Sequence, residues 1–307
     1  MIMLILDSHS SNPRFNIASE EYLLKTTKKD YAFFYINQPS IIIGKHQNAW
    51  AEINLSWTRQ NNIPVVRRLS GGGTVWHDPG NLNFSFILNG EEGKLVNFRE
   101  YASPVLNFLQ ELGVPAEFGK RNEMLVDGLK ISGNAEHIHR KRVLHHGTLL
   151  FSSNLSKLKL ALETNPDMYK DKAVQSIRSE VGNIRDFLKE SMEISDFRRQ
   201  LLSHILKVFT GSKTYTLSDA ETEGIRKLIK EKYSLWSWNI GYSPRYSLQR
   251  KIEMGDTQCI AKLEVEKGLI THCILSGDVP GLDVLAENLS GAEHDPESLK
   301  ALISTNM

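Results

Sequence analysis

Cysteine is nearly absent from this 307-residue chain: only Cys259 and Cys273 occur, and none stands in the first 258 residues. That usage excludes a disulfide framework and a clustered thiolate metal site, and it fits a reducing, cytoplasmic setting. Long apolar runs are missing too. Met1 to Leu6 is apolar but stops at Asp7, too short for a signal-peptide core or a membrane span, and it reads as a first strand. Nor is there an excess of one charge. The 37 basic and 36 acidic residues leave a formal net charge of +1, so whole-chain electrostatics favour neither nucleic acid nor an anionic membrane. Any anion site must be local. There is no internal repeat and no low-complexity stretch. The usual nucleotide loops are absent as well: no Gly-Lys-Ser/Thr follows the one glycine triplet, and no helix opens behind it.

What is present is 40% apolar residues, enough for a sizeable core, and a length that suggests one large domain plus a small one. Helical spacing over 16–28 precedes an aromatic strand over 31–36. Residues 41–43 and 65–69 read as strands, 55–62 as a short helix, and 81–88 as an alternating strand with Leu82, Phe84, Phe86 and Leu88 on one face. The segment 101–112 reads as a helix capped at Ser103 and Pro104. Residues 124–126 and 129–132 flank an Asp127-Gly128 hairpin turn, and 144–151 is a further strand. Beyond 151 the pattern turns helical, over 155–162, 194–208 and 219–232. A junction at 236–242 leads to three strands (247–254, 258–265, 269–275) and helices near 282–289 and 296–303. Strands first and helices later indicate an α+β chain, with residues 1–240 as the main domain and 246–307 as a small α+β tail leaning on it.

The run Arg67-Arg68-Leu69-Ser70-Gly71-Gly72-Gly73-Thr74-Val75-Trp76-His77 is the most informative. A strand delivers two arginines into a tripeptide without side chains, where successive N–H groups can turn toward one anion and a guanidinium offers a planar fork. Such a loop suits a carboxylate meeting a nucleotide phosphate; a plain hairpin loop is the alternative. Lys130, between Leu129 and Ile131 on the second hairpin strand, is a candidate for an ammonium held at fixed depth between two anions. His137, His139, His145 and His146 fall within ten residues. Without a matching carboxylate or Cys spacing they do not read as a metal site, and His146-Gly147-Thr148 reads as substrate lining.

Taken together, these blocks resemble the lipoate-protein ligases, relatives of the biotin ligases whose mixed-sheet catalytic domain looks like the class II synthetase core. The resemblance also runs through Lys120-Arg121-Asn122-Glu123, Asp127 to Ala135, His145 to Leu150, Ser176 to Val181, Trp238-Asn239 and Glu264 to Gly268. It implies activation of lipoate with Mg-ATP to lipoyl-AMP, then transfer to a lysine of apo lipoyl domains of 2-oxoacid dehydrogenase complexes or of the glycine cleavage H protein. Lys130 would touch both substrates. Arg68, Gly73, Thr74, Val75, Trp76 and His77 would meet nucleotide and carboxylate, and Ser70, Gly72, Asn81, Asn122, Gly133, His146 and Thr148 would line the pocket. No tightly bound metal is expected. The family pattern usually has Gly at 120 and Asp at 123, where this chain has Lys120 and Glu123. An octanoyltransferase would need a catalytic-domain Cys, which is lacking. A lipoyltransferase using preformed lipoyl-AMP, a biotin ligase and a noncatalytic binding protein remain alternatives, and the base for the acceptor lysine is not named by the sequence.

Overall fold

The computed structural model describes residues 2–90, 97–254 and 257–295, so the helix expected over 296–303 lies outside the described residues. The strands are Leu4–Asp7 (β1), Tyr31–Ile36 (β2), Ser40–Ile43 (β3), Val65–Arg67 (β4), Val75–His77 (β5) and Asn81–Asn89 (β6), then Glu117–Phe118 (β7), Met124–Val126 (β8) and Leu129–Ser132 (β9). Asn134–His139 (β10), Arg142–Leu150 (β11), Tyr169–Asp171 (β12), Lys213–Tyr215 (β13), Tyr246–Met254 (β14), Thr257–Glu266 (β15) and Leu269–Gly277 (β16) follow. A six-stranded mixed sheet runs β10-β11-β6-β2-β1-β13. In it β1 is parallel to β2 and β13, and the other pairs are antiparallel. The architecture is α+β, as the order of elements implied.

β6 is buried on both faces, and its alternation decides what each face meets. Leu82, Phe84, Phe86 and Leu88 join one core with the helices Phe98–Glu111 and Ile194–Val208. Ile87, on the opposite face, packs in a second core beneath the helix Pro13–Thr26 (α1). Each fully buried Phe of this strand contributes roughly 2–3 kcal/mol of transfer free energy. Asn12 caps α1 by accepting from Arg14 N and Phe15 N, with Pro13 in the first turn. The helix expected to begin at Ser103-Pro104 starts earlier, at Phe98, because Asn97 accepts from Glu100 N. Pro104 lies inside it and forfeits the bond to the carbonyl four residues back.

Two small three-stranded sheets, β4-β3-β5 and β7-β8-β9, stand beside the large one. The C-terminal strands form a four-stranded sheet in the order β12-β14-β15-β16, so its edge strand comes from residues 169–171, far upstream of the expected tail. A single apolar cluster joins Ile41, Ile43, Trp50 and Trp76 to Tyr246, Leu263, Leu282 and Leu289. The C-terminal strands thus pack on the glycine-loop sheet. Among the described residues, no helix is long and apolar enough to cross a membrane.

Candidate active site

Arg67 ends β4 and Arg68 follows it directly, and the two side chains go to opposite sides. Arg67 is fully buried; its Nη1 donates to the carbonyls of Gly44, Lys45 and Gln47, and its Nε to Trp238 O. Trp238 and Asn239 return the contact, binding Arg67 O and N through Nε1 and Oδ1. Arg68 turns to the cavity side, where its Nη2 holds both Gly71 O and Gly73 O at 2.7 Å and its Nη1 holds Ile42 O at 3.0 Å. Arg68 is therefore mostly committed to shaping the loop rather than standing as a free fork. Burial pushes its guanidinium down to about 10, with Glu20 opposing, and it stays charged at neutral pH. Among the described residues, the N–H groups of Gly71, Gly72 and Gly73 have no protein acceptor. Gly72 sits at φ +81°, and a Cβ on the facing Gly44 would lie 2.0 Å from Gly72 O. Both positions require glycine.

The hairpin β8-β9 presents Lys130 to the same cavity, of about 260 Å³. Its backbone is fixed by Lys130 N donating to Glu180 O and Gly182 N donating to Lys130 O. Among the described residues its ammonium has no hydrogen-bond or ion-pair partner. Burial holds its pKa below the usual lysine value, opposed by the nearby Glu123 carboxylate. Gly133 clears space for it, since an added Cβ would approach Lys130 Cε and Nζ at 3.1 and 3.2 Å.

The cavity wall gathers most of the residues the sequence singled out. Arg68, Gly72, Gly73, Thr74, Val75 and His77 line one side, and Lys130, Gly133, His146 and Thr148 the other. Ser70 stands behind the wall, bonded to Arg68 Nε and His146 Nε2. Three others are turned away. Trp76 faces the core shared with the C-terminal sheet and donates Nε1–H to Asp78. Asn81 is buried and donates to Asn83, which lines the cavity in its place. Asn122 takes a left-handed φ of 63° and accepts Asn134 Nδ2–H at its carbonyl. His77 Nδ1 accepts from Asn37 Nδ2 at 2.9 Å, which leaves its proton on Nε2. Burial drives its pKa down to about 3, so the ring is neutral.

The sequence reading missed Tyr35, Asn83 and Asn134, which also line the cavity. Their signal was position on strands that reach the glycine loop only in three dimensions. It included Ser176 to Val181 in the resemblance but gave them no role in the site; they belong to a strap of extended chain, residues 172–181, that supplies Val174 to Ile177 and Ser179 to the wall. Ser176 Oγ accepts from Thr74 N at 2.9 Å and from Gln47 Nε2 at 3.0 Å, while Ser176 N donates to Glu52.

A bare-amide loop and a half-buried ammonium with no partner among the described residues suit a ligand that brings two adjoining anions. Among the described residues no group of three or more His, Cys, Asp or Glu could hold a metal ion. Residues 12–206 match the family model of the lipoyl protein ligase A/B catalytic domain. Lipoate-protein ligase LplJ of Bacillus subtilis is 43% identical over 290 residues, 93% of this chain and 88% of that protein. Two solved structures each cover 78% of this chain and 98% of their own. One is a putative lipoate protein ligase of T. acidophilum with bound lipoic acid, 27% identical with a TM-score of 0.66; the other is a lipoate-protein ligase A bound with ATP, 26% identical with a TM-score of 0.67. With most of its length matched by the family model and by a relative of this identity, the chain belongs to the lipoate-protein ligases.

Proposed function

We propose that this chain activates lipoate with ATP to lipoyl-AMP and passes the lipoyl group to a lysine of an apo lipoyl domain, such as those of 2-oxoacid dehydrogenase complexes or the glycine cleavage H protein. The observation that carries the reading is Lys130. Its unpaired ammonium shares one cavity with the free amides of Gly72 and Gly73, so a carboxylate and an α-phosphate could meet there despite their mutual repulsion. Lys130 is the catalytic residue of this reading; it neutralises both anions as the carboxylate oxygen bonds to phosphorus and pyrophosphate leaves. The loop amides hold the phosphate, Arg68 keeps the loop in shape, and His77 Nε2–H is a donor for the bound acyl adenylate. In the second step the acceptor amine attacks the acyl carbon and AMP departs with its phosphate on the same donors.

Ile17, Tyr35, Ile42 and Val75 provide apolar wall for the aliphatic chain. At roughly 0.8 kcal/mol per methylene, discrimination against octanoate is modest. Magnesium fits as an ion carried by the ATP phosphates, since the cavity offers one carboxylate, Glu123, and no protein cage. Arg121 N donates to that carboxylate at 2.8 Å, which orients it. The division into 1–240 and 246–307 and a cytoplasmic location belong to the same reading. Lipoate-dependent exchange of labelled pyrophosphate into ATP tests the first step, and transfer to an apo lipoyl domain tests the second. Transfer from synthetic lipoyl-AMP without exchange would reassign the chain as a transferase, and exchange with biotin alone would make it a biotin ligase.

A further inference from the structure

α1 places two consecutive glutamates, Glu20 and Glu21, in the interior, with 1% and 3% exposure. A buried carboxylate needs several donors or a cation. Glu21 has both: Lys25 and Lys232 approach it at 2.6 and 2.7 Å, and Tyr233 donates its hydroxyl. Among the described residues, Glu20 has no hydrogen bond or ion pair with a lysine or arginine. It lies over three central strands of the large sheet, and each sends it one group. Tyr35 of β2 donates to Oε1 at 3.0 Å, Ser85 of β6 donates to the same oxygen, and His146 Nδ1 of β11 stands 2.9 Å from Oε2. On its other side, His146 Nε2 is 2.6 Å from Ser70 Oγ, and Ser70 Oγ is 2.9 Å from Arg68 Nε.

Proton bookkeeping gives this chain a direction. Arg68 Nε can only donate, so Ser70 Oγ accepts from it, leaving the single hydroxyl proton for His146 Nε2. An ionised Glu20 can only accept, so His146 donates from Nδ1. The neutral imidazole carries one proton, and only the Nδ1–H form satisfies both neighbours.

We propose that Glu20 is a positioning residue of the adenylation site: through His146 and Ser70 it fixes the guanidinium of Arg68, and through Arg68 the triple-glycine loop. This rests on the functional reading above, but it concerns a residue that contacts neither reacting atom. Arg68 grips Gly71 O and Gly73 O with one nitrogen, so a small rotation of its guanidinium moves both ends of the loop. Ser70, on the same turn, stops that rotation only if its own proton has a fixed acceptor, and Glu20 supplies that by holding the His146 tautomer. Glu20 is also the carboxylate that offsets the buried charge of Arg68, which burial otherwise disfavours. Tyr35 reflects the same neighbour, its hydroxyl held well above the ordinary tyrosine range by burial and by Glu20.

The test begins with the unaltered protein, labelled with 15N-histidine and measured near pH 9, above the ordinary imidazole range. The His146 signals, assigned by their loss in His146→Gln, are expected to show a protonated Nδ1 and a bare Nε2. A proton on Nε2, with or without one on Nδ1, overturns the relay whatever the enzyme does. In Glu20→Gln, whose amide can donate to Nδ1, the proton is expected to move to Nε2. Lipoate-dependent pyrophosphate exchange is expected to fall by roughly ten- to hundredfold, the range for losing a buried charged hydrogen bond. Ser70→Ala cuts the same relay one link later, so the double variant should be no slower than the slower single one. Fully multiplicative losses would show that the two residues act separately and sink the proposal. Wild-type protein without exchange activity would count against the functional reading alone, because the tautomer is read independently.

Discussion

Ser176 and Thr74, 102 residues apart in the chain, are joined by a hydrogen bond of 2.9 Å from the Thr74 amide to the Ser176 hydroxyl. This bond pins the strap across the glycine loop at the point where the loop becomes β5. Ser176→Ala would leave Thr74 N and Gln47 Nε2 without that acceptor, at a cost of about 1–3 kcal/mol if no water replaces it. The expected result is faster proteolytic cleavage within 172–181 and adenylation slowed by about tenfold, read by limited proteolysis and pyrophosphate exchange. Gly73→Ala should do more, because its Cβ would lie 3.0 Å from Ser176 Oγ and 3.3 Å from Ser176 Cα.

Lys130→Ala should abolish lipoate-dependent exchange while leaving the thermal midpoint within a few degrees, since among the described residues the ammonium has no protein partner to lose. Gly133→Ala tests the same amine without altering it: displacing Nζ should lower kcat by roughly tenfold or more. Single-turnover adenylation with each variant decides the matter. Wild-type rates in Lys130→Ala would remove this residue from the mechanism.

The alkaline limb of adenylation should carry the signature of Lys130. Burial lowers its pKa and Glu123 raises it, so the cation is lost, and the rate falls, at a pH below that for an ordinary lysine. Removing the Glu123 charge in Glu123→Gln takes away a stabiliser of the cation and should shift the limb further toward neutral. A shift in the alkaline direction would contradict the assignment. The kcat/KM profile in wild type and variant is the measurement.

Acid should destabilise the fold through His77. Its folded pKa is about 3 against an ordinary value of 6.5, so the unfolded chain binds the proton more tightly. The stability tied to its neutral form is fully present above about pH 6.5 and is lost as the pH falls toward 3. His77→Asn should flatten that part of the midpoint-against-pH curve, measured by thermal unfolding between pH 7 and 4.

Trp76→Ala should cost about 3–5 kcal/mol, the usual range for emptying a buried aromatic site. The loss belongs to the core beneath the C-terminal sheet, because Trp76 is 1% exposed and packs there. Urea unfolding should show it, with the KM for ATP little changed in protein that remains folded.

Periodicity made the large sheet legible: β2, β6 and β11 each stand where an apolar run or clean alternation predicts a strand. The Asp127-Gly128 turn likewise marks its hairpin, with both residues at positive φ. The resemblance to the family named Arg68, Gly72, Lys130 and His146 together, and all four line one cavity. What stayed hidden depends on orientation or on distant pairing. Trp76 and Val75 are neighbours in sequence, yet the strand's two-residue period sends one to the core and the other to the cavity. β12 has only three residues, Tyr-Lys-Asp, and no local pattern marks a strand whose partner lies more than seventy positions on. Glu20 carries no local sign of burial, since glutamate is rarely interior and its partners come from the sheet beneath it.

That edge strand ties the tail to the strap mechanically. Tyr169–Asp171 pairs with Tyr246–Leu248, and the strap leaves directly from its end. A chain cut before residue 246 would therefore lose more than an accessory lobe. The strap's upstream end would hang from tethers at Asn48, His46 and Glu52 and from the Ser176 bonds to Thr74 and Gln47, so amputation of the tail should be felt as a loosened cover over the reaction chamber.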